Sequence, residues 1–200
     1  SCRPRTAVGA AMTLSRSEHA RLDAKMQELK SMGVPFAMAT IVRTVDATSA
    51  RPGGKALLDA GGEILLGWVG GGCARSAVAA AAREAISNGS PQFISLQPQE
   101  LLDTEGVRPG ETRDGVKYAR NGCPSRGTMD VFVEPVLPLP HLTICGTGLV
   151  ALALAELADR LDFAVTLRVA DGVNAGIDAH PLQVGFAMTD PGFVVVATQG

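Results

Sequence analysis

The stretch His141-Leu142-Thr143-Ile144-Cys145-Gly146-Thr147-Gly148-Leu149-Val150-Ala151 decides the fold. Its first five residues suit a short apolar strand, and the residues beyond Gly148 carry a helix to about Leu161. Between them lies G-x-G-x-x-A. Gly146 permits a tight turn, Gly148 lets the backbone approach a phosphate, and Ala151 allows close packing of helix on strand. Free N–H groups at the start of such a helix can hold an anion. Phe163 to Val169 reads as a second strand. It closes on Asp171, which lies 23 residues beyond Gly148, near where a carboxylate reads a ribose hydroxyl. Val184 to Met188 and Phe193 to Ala197 suggest further strands. Strand, Gly-rich turn, helix and strand begin a Rossmann-type parallel sheet. The plainer alternative is that the small residues only let strand and helix pack. The sequence stops at Gly200, directly behind an apolar strand expected to be buried, so the sheet reads as truncated, with at most the first half of a doubly wound domain.

Upstream, Pro135, Pro138 and Pro140 punctuate a stiff connection, and the domain boundary is placed there. Residues 1–11 read as a disordered extension, 12–137 as a small α/β domain, and 138–200 as the partial Rossmann-like domain. In the first domain, Ser15-Arg16-Ser17-Glu18 has capping-box form, and Leu22, Met26 and Leu29 follow at helical spacing. The helix runs over 15–32 and is closed by Gly33 and Pro35. Phe36 to Val45 is rich in β-formers. Lys55 to Asp59 and Glu63 to Val69 form a hairpin about Ala60-Gly61-Gly62. An Ala-rich helix covers about 74–87 and stops at Asn88-Gly89. Gln92 to Gln97 and Thr128 to Glu134 are strands. Residues 98–122 are polar and turn-rich, with no strong period.

Composition narrows the function. The 200 residues are 46% hydrophobic, 19% charged and 4% aromatic, which suits a globular chain and excludes disorder. Eighteen basic against 20 acidic residues leave a net charge of −2, which argues against a nucleic-acid or anionic-membrane binder. No apolar run approaches the ~20 residues that span a bilayer. The four cysteines, Cys2, Cys73, Cys123 and Cys145, form no CxxC, and with no signal-type segment the expected location is the cytoplasm. Cys145, inside a strand, reads as a buried small hydrophobe. Glycine is in excess, 23 residues against a usual ~7%.

Three features beside the Gly146 turn carry chemistry. Cys73 follows Gly70, Gly71 and Gly72 and opens a helix, where positive potential favours a thiolate. The glycines leave N–H groups free to bind an anion. Cys123 lies in a second glycine-flanked loop, Asn121-Gly122-Cys123-Pro124-Ser125-Arg126-Gly127. Two such cysteines can form one site for a soft ligand, a sulfur or a thiol-bearing cofactor; the alternative for each is a packing residue. Arg51 and Lys55 bracket Pro52-Gly53-Gly54, a rigid cationic loop suited to a phosphate, or else a solvated hairpin loop.

Together these motifs resemble the XdhC/CoxI family, the accessory proteins of molybdenum hydroxylases. The resemblance is carried by Ala39 to Thr44 leading into Ser49 to Lys55, by Gly67-Trp68-Val69-Gly70-Gly71-Gly72-Cys73, and by Cys123 to Pro135, with the Gly146 turn in the same order. It covers residues 34–200. The second cysteine loop, Cys-Pro-Ser-Arg-Gly here, departs from the family's frequent Cys-Gly-Gly and is similar to the CoxI-like branch. The resemblance implies a chaperone that binds the molybdenum cofactor, as molybdopterin or its cytosine dinucleotide, and matures or inserts it into a xanthine dehydrogenase- or carbon monoxide dehydrogenase-type client. It implies Cys73 and Cys123 as contacts to the metal or its sulfur. Arg51, Lys55 and Gly70 to Gly72 would hold the pterin phosphate, and Gly146, Gly148 and Asp171 the nucleotide tail. A cysteine desulfurase is a further expected partner and a homodimer the expected assembly. No catalytic residue is assigned. Two alternatives stand beside this reading: an NAD(P)-dependent oxidoreductase built on the Gly146 turn, and a docking scaffold without cofactor.

Overall fold

The strand Phe36–Val45 (β1) organises the first part of the chain. Ala37, Ala39 and Ile41 enter one apolar cluster, whereas Phe36 and Met38 enter another on the opposite face. This is the two-residue period of a strand covered on both sides. A computed structural model describes residues 16–46, 50–122, 126–146, 148–169, 179–181 and 192–197. The chain divides into two compact units, Ser1–Leu137 and Pro138–Gly200.

In the first unit, helix Arg16–Ser31 (α1) buries Leu22 and Leu29 with Phe36 and Leu57. Strands Lys55–Asp59 (β2) and Ile64–Gly67 (β3) form the hairpin, one strand ending earlier than its sequence suggests. The reason is Gly67: at φ +92° the backbone leaves the extended region. Helix Gly72–Asn88 (α2) lays Val78, Ala81, Ala82 and Ala85 on the face of the sheet that carries Ala37 and Ala39, and ends on Gly89 at φ +65°. Strand Gln92–Gln97 (β4) follows.

The stretch 98–122, polar and turn-rich with no strong period in the sequence, holds a short helix, Gln99–Glu105 (α3), and the strands Thr112–Arg113 (β5) and Val116–Arg120 (β6). The last strand, Thr128–Val136 (β7), runs on through Pro135. It can do so because β4 pairs with it only as far as Val133, so the missing N–H of Pro135 leaves no gap on that side. The sheet order is β3-β2-β1-β7-β4-β6-β5, with only β4 and β6 parallel.

The second unit is a parallel sheet of His141–Cys145 (β8), Ala164–Val169 (β9), Ala179–Pro181 (β10) and Gly192–Val196 (β11), with helix Leu149–Asp159 (α4) between the first two. Ala151, Ala155 and Ala158 press α4 against Leu142, Ile144 and Leu167. The order β10-β9-β8-β11 is third, second, first, fourth in chain order, the arrangement of a Rossmann-like fold. The α/β class expected from sequence is therefore the one observed. The expectation of at most a first half is corrected, because β11 lies on the far side of β8. β11 is also not buried: Phe193 is 61% exposed, at the edge of the sheet. Cys145 is half-buried rather than buried.

Candidate functional site

Helix α2 begins on Gly71 with no side-chain hydrogen bond to cap it. The first N–H groups of the helix are thus left to water or a ligand. A Cβ added to Gly71 or Gly72 would meet nothing within 4 Å, so space lies open before the helix. Gly70 differs. It is buried at φ +118°, and a Cβ there would stand 3.0 Å from the Ala74 Cβ and 3.9 Å from both the Ala50 Cβ and the Met129 Cε. Cys73 lies in the first turn of α2, half-buried and free.

The second cysteine loop leaves the sheet beside it. A Cβ on Gly122 would lie 3.4 Å from the Cys73 Sγ. The Asn121 N–H donates to the Gln97 carbonyl at 2.7 Å, and Asn121 Nδ2 donates to the Gly127 carbonyl at 2.6 Å, tying together the two ends of the 121–127 loop. Cys123 itself lies outside the described residues. Among the described residues no group of three or more His, Cys, Asp or Glu could hold a metal ion.

The loop carrying Arg51 and Lys55 is stitched to β1 at a register shift between Ile41 and Arg43. The Ile41 N–H donates to the Gly54 carbonyl at 2.9 Å and the Gly53 N–H to the Ile41 carbonyl at 2.8 Å. Arg51 is exposed and Lys55 half-buried. The Lys55 carbonyl accepts the Trp68 N–H at 3.0 Å, and Trp68 is 48% exposed. The loops at 50–55 and 67–73 therefore run side by side, and Gly122 joins the second of them at Cys73. Trp68 is quoted in the sequence only as part of the resemblance, with no site role; the signal for one was a lone tryptophan in an aromatic-poor chain.

Sequence reasoning also missed a buried polar chain. Asp130 accepts Ser95 Oγ on Oδ1 at 2.6 Å and Arg43 Nε on Oδ2 at 2.5 Å, while Gln97 Nε2 donates to Ser95 Oγ at 3.3 Å. Ser95, Gln97 and Asp130 are buried. Ile94 and Leu96 face α2, so the alternating Ser95 and Gln97 belong to the other face of the sheet.

In the second unit, Gly146 is buried at φ +144°, a conformation that needs glycine. Its N–H donates to the Arg168 carbonyl at 3.0 Å, and the Cys145 carbonyl accepts the Ala197 N–H at 2.8 Å. Gly148 caps α4 without a side-chain hydrogen bond. The turn thus sits at the carboxyl end of β8, between β9 and β11, where the strand order reverses. Asp171 lies outside the described residues. No described helix is long and apolar enough to cross a membrane.

Residues 29–97 match the model of the XdhC and CoxI family. No curated protein matches the chain. A crystal structure titled a xanthine dehydrogenase, from Bacillus halodurans, is similar at 16% identity and a TM-score of 0.39, covering 88% of this chain and 74% of that one.

Proposed function

We propose that this chain, whose residues 29–97 match the model of the XdhC and CoxI family, is a molybdoenzyme accessory protein that binds the molybdenum cofactor and delivers it to a client of the xanthine dehydrogenase or carbon monoxide dehydrogenase type. The observation that carries the reading is the meeting of Cys73 and Gly122, two loops nearly fifty residues apart, at an uncapped helix N-terminus. A thiolate is a soft donor and suits a soft metal or a sulfur carrier. The open space before Gly71 and Gly72 fits a bound group there.

Cys73 holds the metal or its sulfur, and Cys123, next in sequence to Gly122, is the second thiol. The N–H groups at the start of α2, from Gly70 to Gly72 onward, receive an oxyanion, supported by Arg51. Trp68 offers a planar face to a heterocycle. Once delivered, the cofactor would supply redox chemistry at molybdenum in the client enzyme. The second unit, taken by itself, suits a nucleotide, with Gly146 and Gly148 at the start of α4 on its phosphate and Asp171 on its ribose. A cysteine desulfurase and a second copy of the chain are the further partners of this reading.

The test is retention of molybdenum cofactor by the purified protein. Cys73→Ala should lower bound molybdenum at least about tenfold, the cost of one soft ligand. Unchanged retention removes Cys73 from the site. The strand order of the second unit favours one other reading, a nicotinamide-dependent oxidoreductase on the Gly146 turn. Titration with NAD and NADP decides it: hydride transfer supports an oxidoreductase, and no binding at millimolar levels dismisses it.

A further inference from the structure

Arg43 lies outside every segment assigned above to ligand binding, yet it is held as surface arginines seldom are. Its side chain is 61% exposed, while the Asp130 carboxylate that fixes it is 7% exposed. The contact is through Nε, and among the described residues neither terminal nitrogen of the guanidinium has a partner. We propose that Arg43 is an anion-binding residue that presents these nitrogens to a phosphate-type oxyanion on the sheet face opposite α2, beside Lys55.

Three observations carry this. The first is the cost of the arrangement. An exposed ion pair adds little stability, and a carboxylate buried to hold one is an expense to the fold rather than a gain. Ser95 has a single hydroxyl proton and gives it to Asp130. Gln97 must therefore turn its amide NH2 to Ser95, and its buried Oε1 is left with no partner. A network that leaves an acceptor unmet in order to fix a carboxylate is organised around what the carboxylate holds.

The second is the register. β1 shifts against β7 between Ile41 and Arg43, and such bulges re-aim side chains. The shift sets Arg43 opposite Asp130. Thr40, just before it, pairs with both Phe132 and Lys55. Phe132 and Asp130 share a face, so Lys55 and Arg43 stand on that face together.

The third is the anchor. The residue at the bulge, Ile41, is also the one that fastens the loop from Arg51 to Lys55 by two backbone hydrogen bonds. One irregularity thus positions both cations. A planar guanidinium fixed at one edge is pre-organised for the bidentate grip on a phosphate. Asp130 and Ser95 are positioning residues; Arg43 and Lys55 would touch the anion.

The inference goes beyond the cofactor reading by naming a second anion position, on the sheet face away from α2, and it stands on residues other than Cys73. The probe is inorganic pyrophosphate, titrated calorimetrically into the full chain at low salt, with acetate as a carboxylate control. The wild type should bind pyrophosphate more tightly than acetate, with an affinity that falls as salt rises. Arg43→Ala, an exposed change, should weaken binding about tenfold or more, the measure of a lost charge-assisted pair. Arg43→Lys should not restore it, because lysine cannot be pinned and still present a fork. Asp130→Asn, with its melting temperature and circular dichroism recorded, should weaken binding if it retains the fold. Equal affinity in Arg43→Ala, or no binding by the wild type at millimolar pyrophosphate, overturns the proposal. Equal affinity in a folded Asp130→Asn removes the positioning role. Loss of cofactor retention with pyrophosphate binding intact refutes the cofactor reading alone.

Discussion

The Cys73 sulfur sits 3.4 Å from the point where a side chain on Gly122 would begin. Glycine at 122 therefore keeps one side of the thiol uncovered. The backbone of Gly122 is not in the left-handed region, so larger residues fit there without strain. Gly122→Val should slow alkylation of Cys73 several-fold, followed by peptide mass spectrometry, with stability changed by less than about 0.5 kcal/mol. Equal alkylation rates would show that the thiol is reached from another direction.

Glycines of the 67–72 segment divide into two kinds. A Cβ on Gly67 would fall 2.2 Å from the Lys55 carbonyl oxygen, at φ +92°. Gly67→Ala must force β2 and β3 apart and should cost about 3 kcal/mol or more in denaturant unfolding. Gly72→Ala meets open space and gains helix propensity, so it should be neutral or stabilising by up to about 1 kcal/mol. If Gly72 serves the anion, the same variant loses ligand while keeping its fold.

Helix α4 depends on small residues. Ala151 is fully buried in the cluster with Leu142 and Ile144. Ala151→Leu should cost about 1–3 kcal/mol by overpacking, read in thermal unfolding. Leu157, exposed on the same helix, should accept serine with no measurable loss.

Acid stability has a local contributor in Glu111. The Arg108 backbone N–H, and then the Arg113 guanidinium, hold the Glu111 carboxyl below its ordinary range. A lowered folded value gives stability that is present above the unfolded value, about 4.3, and lost as pH falls through the folded one. Glu111→Gln should therefore flatten the pH dependence of the melting temperature below about pH 4.3, and leave it unchanged near neutrality.

The parts of the fold that the sequence discloses are those with strong local signals. The helix before Gly33, the hairpin at Gly61-Gly62 and the Gly146 turn all stand where their residues predict, while Ser15, the expected cap of that helix, lies outside the described residues. The glycine run before Cys73 likewise marks a helix start. Residues 98–122 were opaque for a physical reason. Helix α3 is seven residues long and buries Leu102 alone, and β6 is half-buried along Val116 to Ala119, so neither shows a period. The grip of Asp130 on Arg43 spans 87 residues of sequence, and no local pattern announces it. Strand order is equally silent: nothing in Phe193 to Val196 says on which side of β8 they lie.

The position of β7 bears on how the protein is made. It is the last strand of the first unit to leave the ribosome, yet it lies between β1 and β4 and pairs with both. The two sides of the sheet cannot join until about residue 136 has been synthesised. Until then the apolar faces of β1 and β4 wait without their central neighbour, a non-local closure of the slow kind. Met129, which approaches Gly70, and Asp130, which fixes Arg43, both arrive on that strand. The end of the unit that carries Gly70 and Arg43 is therefore assembled last, in the same event that completes the sheet.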